Sequence, residues 1–126
     1  MNVASKESLF ARLGGEAAVE AAVVSFYERV LADATIAHFF DHMDVDALIR
    51  KQIAFMTMAF AGPNNYTGRD LRVAHAPLVA KGLNDAHFDA VGGHLQDTLV
   101  ELGVDAALTA EVMGIVGTTR DAVLGR

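Results

Sequence analysis

His75, Tyr27 and Gln52 are the residues of this sequence whose type and setting could do chemistry. His75 stands in "LRVAHAPLVAKGL", among Leu71, Val73, Leu78 and Val79, with no Asp or Glu within four residues of it. An imidazole in so apolar a setting needs a polar partner, water or a ligand. His75 therefore either points to solvent or binds something. Tyr27 falls on an apolar stripe with Val23, Phe26 and Val30, and Gln52 interrupts the stripe Val45, Leu48, Phe55, Met56 and Ala59. Burying an amide without a partner costs roughly 1–3 kcal/mol. Either Tyr27 and Gln52 hydrogen-bond each other, or both line an apolar cavity and donate to a small polar ligand. With His75, three polar groups from three segments would then face one interior, as in a small-molecule site.

Other candidates carry less. Arg50, Lys51, Arg69 and Arg72 lie in a stretch whose only acid is Asp70, although the chain as a whole is acidic. They are either solvated helix faces or a set that pairs with carboxylates on a bound ligand. His38 and His42 have the i, i+4 spacing of two metal ligands on one helix face, but no Glu-x-x-His pattern accompanies them. His87 and His94 fall in the first and third turns of a helical segment, on partly solvated faces. The methionines and phenylalanines are first of all core. The adjacent pair Phe39–Phe40 could also wall a flat aromatic ligand.

These groups have to be positioned by helices. Val19, Val23, Phe26, Tyr27, Val30 and Leu31 recur at helical spacing over 16–33, after Gly14–Gly15 and a short helix near Ser8–Leu13. "TIAHFF" makes a brief turn. Asp44 can cap a helix over 44–60, with Met43 and Leu48 as its staple. "AGPNNYTG" breaks the pattern, and a short helix near Asp70–His75 is expected to end before Pro77. Asn84 caps a helix to Leu102, stapled by Leu83 and Phe88 and stopped by Gly103. A last helix spans about 105–124. No segment alternates like a strand, so the fold class is all-α.

Length and composition set the outer bounds. A chain of 126 residues, 52% of them apolar, fits one domain over 1–126, with about 1–7 as an N-terminal segment. The absence of cysteine removes disulfides, thiolate nucleophiles and cysteine-bound metals from consideration. A net charge of −6 argues against nucleic acid or an anionic membrane as main partner. No apolar run is long enough to span a bilayer, and the N-terminus lacks the apolar core of a signal peptide. A cytoplasmic protein, monomeric or weakly dimeric, is the expectation.

The ordered set "LGGEAAV", "FYERVLAD", "HFF", "KQIAFMTMAFAGPNNYTG", "VAH" and "HFDAVGGHL" resembles the group I truncated haemoglobins, from about Leu9 to Leu124. The resemblance implies a truncated globin fold, a two-over-two helical sandwich around haem b. It implies His75 as the proximal iron ligand, Tyr27 and Gln52 as the distal pair, and Phe40 packed on the haem face. It places Leu48 and Met56 among distal and tunnel-lining positions, and Val91 and Leu95 on the tunnel wall. Lys51, Arg69 and Arg72 join the expected cofactor-binding residues. There are departures from the family pattern. "Ala61–Gly62" stands for its second glycine pair, and Met56 for a position that is often aromatic. Lys51 occupies a position where some members carry a distal histidine, so a bis-histidine resting state is not expected, and lysine or tyrosine coordination stays open. No histidine follows His94, so a covalent histidine–haem link near the C-terminus is not expected.

What the resemblance implies chemically follows from these types. An iron ligand is neutral imidazole, which apolar surroundings favour. Its other ring N–H needs an acceptor. With no carboxylate nearby in sequence, a backbone carbonyl is expected, which suits reversible O₂ binding better than peroxide cleavage. Tyr27 and Gln52 would donate to the bound gas. The expected ligands are O₂, NO and CO. Dioxygenation of nitric oxide to nitrate would need an external electron-donor reductase. The alternatives are an O₂ carrier, store or sensor without turnover, and a haem-free helical interaction module.

Overall fold

The structure, a computed structural model, describes residues 9–61 and 68–126. The expected N-terminal segment 1–7 and the break over 62–67 lie outside the described residues, as do the side chains of Ala59 and Arg69. The described residues form helices and turns, with no strand among them. In chain order the helices are α1 (Leu9–Arg12), α2 (Gly15–Ala32), α3 (Ala34–Ala37), a 3-10 turn (His38–Phe40), α4 (Val45–Ala61), α5 (Gly68–Ala80), α6 (Asp85–Glu101), α7 (Ala106–Gly117) and α8 (Arg120–Val123). None of the described helices is long and apolar enough to cross a membrane.

Helix α2 begins where Gly14 takes a left-handed conformation, φ +115°. A Cβ on Gly14 would stand 2.8 Å from that of Ala18, so the chain turns into α2 only with glycine there. The expected stripe faces inward: Val19, Val23, Phe26, Tyr27 and Val30 are buried, with Ala22. Leu31 is the exception, exposed at the end of the helix. Asp44 caps α4 by accepting from Ala47 N at 3.2 Å. Asn84 caps α6, accepting from Ala86 N and His87 N, while His87 Nδ1 accepts from Asn84 N at 3.1 Å. This reciprocal pairing satisfies amide groups that a helix start otherwise leaves open.

Two boundaries differ from the sequence expectation. α5 does not stop before Pro77 but runs through it to Ala80. Pro77 leaves the Val73 carbonyl without an intrahelical donor, but Val73 is 69% exposed, so water can take that place. The helix ends instead at Gly82, φ +102°, where Leu83 N donates back to Leu78 O at 3.0 Å. The last helix is divided in two. After Gly117 the Thr118 and Thr119 hydroxyls donate to Ile115 O and Val116 O, each at 2.6 Å. These local bonds compete with the helical ladder and let α8 set off anew.

The α2–α4 pair lies over the α6–α7 pair, with α2 packed against both α4 and α6. Val23, Phe26, Val30, Met56, Leu95, Leu99 and Val112 fill the space between the layers. Side chains such as Val23 and Val30, almost wholly withdrawn from water, contribute about 1.5–3 kcal/mol each. The fold is the two-over-two helical sandwich expected from the sequence.

Candidate functional site

The core does not close completely. A cavity of about 490 Å³ opens between the layers, lined mostly by apolar side chains. α2 gives it Phe26, Tyr27 and Val30, and the 3-10 turn gives Phe39 and Phe40. α4 adds Leu48, Lys51, Gln52, Phe55 and Met56; α5 adds Leu71, Ala74, His75 and Leu78. His87, Phe88, Val91 and Leu95 come from α6, and Ile115, Val116, Thr119 and Val123 from the end of the chain. The structure thus brings together Tyr27, Phe40, Leu48, Lys51, Gln52, Met56 and His75, with Val91 and Leu95.

Arg72 is placed elsewhere. It is exposed, does not line the cavity, and its Nη2 donates to the main-chain oxygen of Arg126 at 3.0 Å. It follows cavity-lining Leu71 by one residue, about 100° further round α5, so it falls to the side of the face that meets the cavity. The side chain of Arg69 is outside the described residues.

His75 Nδ1 lies 2.8 Å from Leu71 O, on the preceding turn of α5. A carbonyl oxygen only accepts, so in the neutral ring Nδ1 carries the proton and Nε2 holds the lone pair. The orienting acceptor is a backbone carbonyl, as the lack of a nearby acid suggested. Among the described residues no three His, Cys, Asp or Glu side chains gather into a metal site. A single imidazole lone pair in a wide apolar cavity fits a metal that brings its remaining ligands on a large, flat, apolar cofactor. Phe40, edge-on to the Tyr27 ring with centroids 6.1 Å apart, suits the same occupant.

Burial pushes the Tyr27 hydroxyl up to about 12, so it stays an O–H through the neutral range. No hydrogen bond joins Tyr27 to Gln52 among the described residues. The alternative in which the two satisfy each other is not the one the fold adopts. Both are available to a third partner in the cavity.

The remaining histidines have other engagements. His94 Nε2 meets Asp33 Oδ2 at 2.7 Å, joining α6 to the α2–α3 corner. Asp33 also accepts from Thr35 N and Oγ1. Its carboxyl is held down at about 2, first by His94 and then by Thr35. His38 stacks on Phe39 in the 3-10 turn, with ring centroids 4.2 Å apart. That turn ends at Phe40, so no continuous helix carries His38 and His42 on one face. His87 lines the cavity, which the sequence reading did not foresee. The missed wall from the chain's end was visible as spacing: Ile115, Thr119 and Val123 recur every four residues.

A second, apolar cavity of about 220 Å³ lies between Leu13, Val19, Leu99, Val104 and Val112. Met56 and Leu95 line both cavities and stand where the two approach.

Comparison with known proteins matches residues 8–124 to the bacterial-like globin family. The group 1 truncated hemoglobin GlbN of Synechocystis is 49% identical over 111 residues, 87% of this chain and 90% of that protein. The group 1 truncated hemoglobin of Tetrahymena pyriformis is 41% identical, across 95% of this chain and 97% of that one. Among solved structures, the 2/2 hemoglobin of Synechococcus, in the cyanomet state with covalently attached heme, superposes with a TM-score of 0.89. It is 46% identical, and the match covers 94% of this chain and 99% of that one.

Proposed function

This chain belongs to the bacterial-like globin family and is a haem protein that binds diatomic gases, and we propose that His75 holds the haem iron while Tyr27 and Gln52 hold the gas. The observation that carries this reading is the His75–Leu71 bond inside the cavity that also receives Tyr27 and Gln52. It turns the Nε2 lone pair of His75 away from the helix that bears it, leaving that nitrogen for a metal.

Haem supplies a ferrous centre at which O₂, NO or CO can bind. The chain's own residues do the rest. The Leu71 carbonyl fixes the orientation of the imidazole and adds less electron density than a carboxylate would. Tyr27 O–H and Gln52 N–H₂ donate to a ligand that carries partial negative charge, which slows its escape. Phe39, Phe40, Leu48 and Phe88 keep water from the cofactor faces. Lys51, exposed yet at the cavity wall, can meet a cofactor carboxylate at the opening.

Nitric-oxide detoxification is the physiological reading favoured by the second cavity. Its apolar walls, which share Met56 and Leu95 with the first cavity, offer a small neutral gas a place beside the site. The overall conversion is NO + O₂ + one electron to nitrate, the electron coming from an external reductase. An O₂ carrier, store or sensor would use the same site without that electron.

The test is His75→Ala, expressed with haem and washed on a desalting column. The variant is expected to lose its Soret absorption, whereas His87→Ala and His94→Ala keep theirs. Full haem content and an unaltered ferrous spectrum in His75→Ala would remove His75 from the iron.

A further inference from the structure

α5 carries His75, yet it packs on the body of the protein chiefly through α8, a single turn. Leu71, Ala74, His75 and Leu78 line the cavity, and of these Leu78 packs against the core. Further support comes from the segment 120–126. Arg72 donates to the main-chain oxygen of Arg126 at 3.0 Å. Gly125 lies against Val79, whose methyls a Cβ there would meet at 3.8 and 3.9 Å.

The same segment is fastened to the start of α6. Arg126 grips both carboxylate oxygens of Asp85, at 2.9 and 3.1 Å. Arg120 reaches Asp85 at 3.0 Å and Asp89 at 2.6 Å. Its guanidinium also sits 4.6 Å over the ring of Phe88, and Phe88 lines the cavity. An exposed ion pair alone contributes little. Here one carboxylate serves two guanidiniums, one of them in a bidentate grip.

We propose that residues 120–126 form a strap that positions the proximal imidazole: Arg120 and Arg126 anchor it to Asp85, and it holds α5 so that His75 keeps its reach into the cavity. The inference rests on the reading of His75 as iron ligand. Arg72, Asp85, Arg120 and Arg126 are positioning residues in it, acting through α5.

Asp85→Asn removes the charge that both arginines share while keeping the size of the side chain, and Arg126→Gln removes the bidentate grip. Three properties of the haem-loaded protein are to be read: haem loss to excess apomyoglobin, the iron–histidine stretching band of the ferrous form by resonance Raman, and hydrogen exchange along α5. In both variants haem loss is expected to quicken about 3–10-fold, the worth of one or two such contacts. The band is expected to shift or broaden, and α5 amides to exchange faster while those of α2 do not. Arg12→Gln is the control. It breaks an ion pair of the same kind, Arg12–Glu111 at 2.6 Å, between α1 and α7, and should leave all three readings unchanged.

Haem loss within twofold of the unaltered protein together with an unmoved band in Asp85→Asn and Arg126→Gln would overturn the strap. So would the same changes appearing in Arg12→Gln. The proximal assignment fails separately. If the band survives in His75→Gly, His75 is not the ligand and the inference falls with it. If the band vanishes there but ignores the strap variants, the strap alone is wrong.

Discussion

Tyr27 is buried, its hydroxyl is pushed up to about 12, and it faces the cavity without a bond to Gln52. A hydrogen bond from such a group to a partly anionic ligand is worth roughly 1.5–3 kcal/mol. At about 1.4 kcal/mol per decade, Tyr27→Phe is expected to speed O₂ dissociation by roughly 10–100-fold. The ring and its contacts with Phe26 and Phe40 stay, so folding stability should hardly change. Carbon monoxide bears less negative charge on its outer atom, and its dissociation should respond far less. Gln52→Leu should show the same selectivity with a smaller effect. Stopped-flow off-rates for both gases decide the matter; an O₂ off-rate within twofold of the unaltered protein would exclude Tyr27 as donor. That this phenol and amide sit on apolar stripes was plain from spacing. That they would leave each other unbonded was not, since spacing fixes the face of a helix and not the partner across it.

At the scale of elements, the Asp33–His94 contact ties α6 to the corner from which α3 and the 3-10 turn emerge, and that turn delivers Phe39 and Phe40 to the cavity. His94 and then Thr35 hold the Asp33 carboxyl at about 2, below its ordinary 3.8. A carboxyl depressed on folding adds stability that is present above its unfolded value and is lost as pH falls toward the folded one. Acid should therefore weaken this corner between about pH 3.8 and 2. Asp33→Asn should lower the melting temperature at pH 7 and flatten its dependence on pH across that window. Melting curves from pH 7 to 2 for both proteins would show it, and parallel curves would mean that the contact does not couple to folding. No sequence pattern announced this pair, because its partners are 61 residues apart.

For the molecule as a whole, the two cavities share Met56 and Leu95 as a common wall. If nitric oxide reaches the site by that way, a larger side chain at the junction should obstruct it. Met56→Phe is expected to slow nitrate formation from NO and O₂ by about tenfold, some 1.4 kcal/mol of barrier, with haem content and O₂ off-rate kept. Nitrate yield with a one-electron donor present checks this. Nitrate yield that is unchanged in the variant would place the route elsewhere, and no nitrate at all in the unaltered protein would favour the carrier reading.

Local chemistry determined what lies within one segment. The apolar periodicities, the Asp44 and Asn84 caps and the lone His75 within an acid-free stretch all follow from interactions between residues a few positions apart, and so could be read directly. The pairing of layers, the space left between them and the company each polar residue keeps depend on groups distant in sequence. Arg72 shows the difference. Its charge and neighbours suggested a cofactor carboxylate, but the fold turns it to Arg126, because a long side chain takes the acceptor its helix face can reach. Pro77 shows it again. Its local preference would end a helix, yet α5 continues past it because the bond it forfeits falls at exposed Val73 and the glycine at 82 supplies a better stop. Local rules rank the options for each segment; packing across the whole chain selects among them.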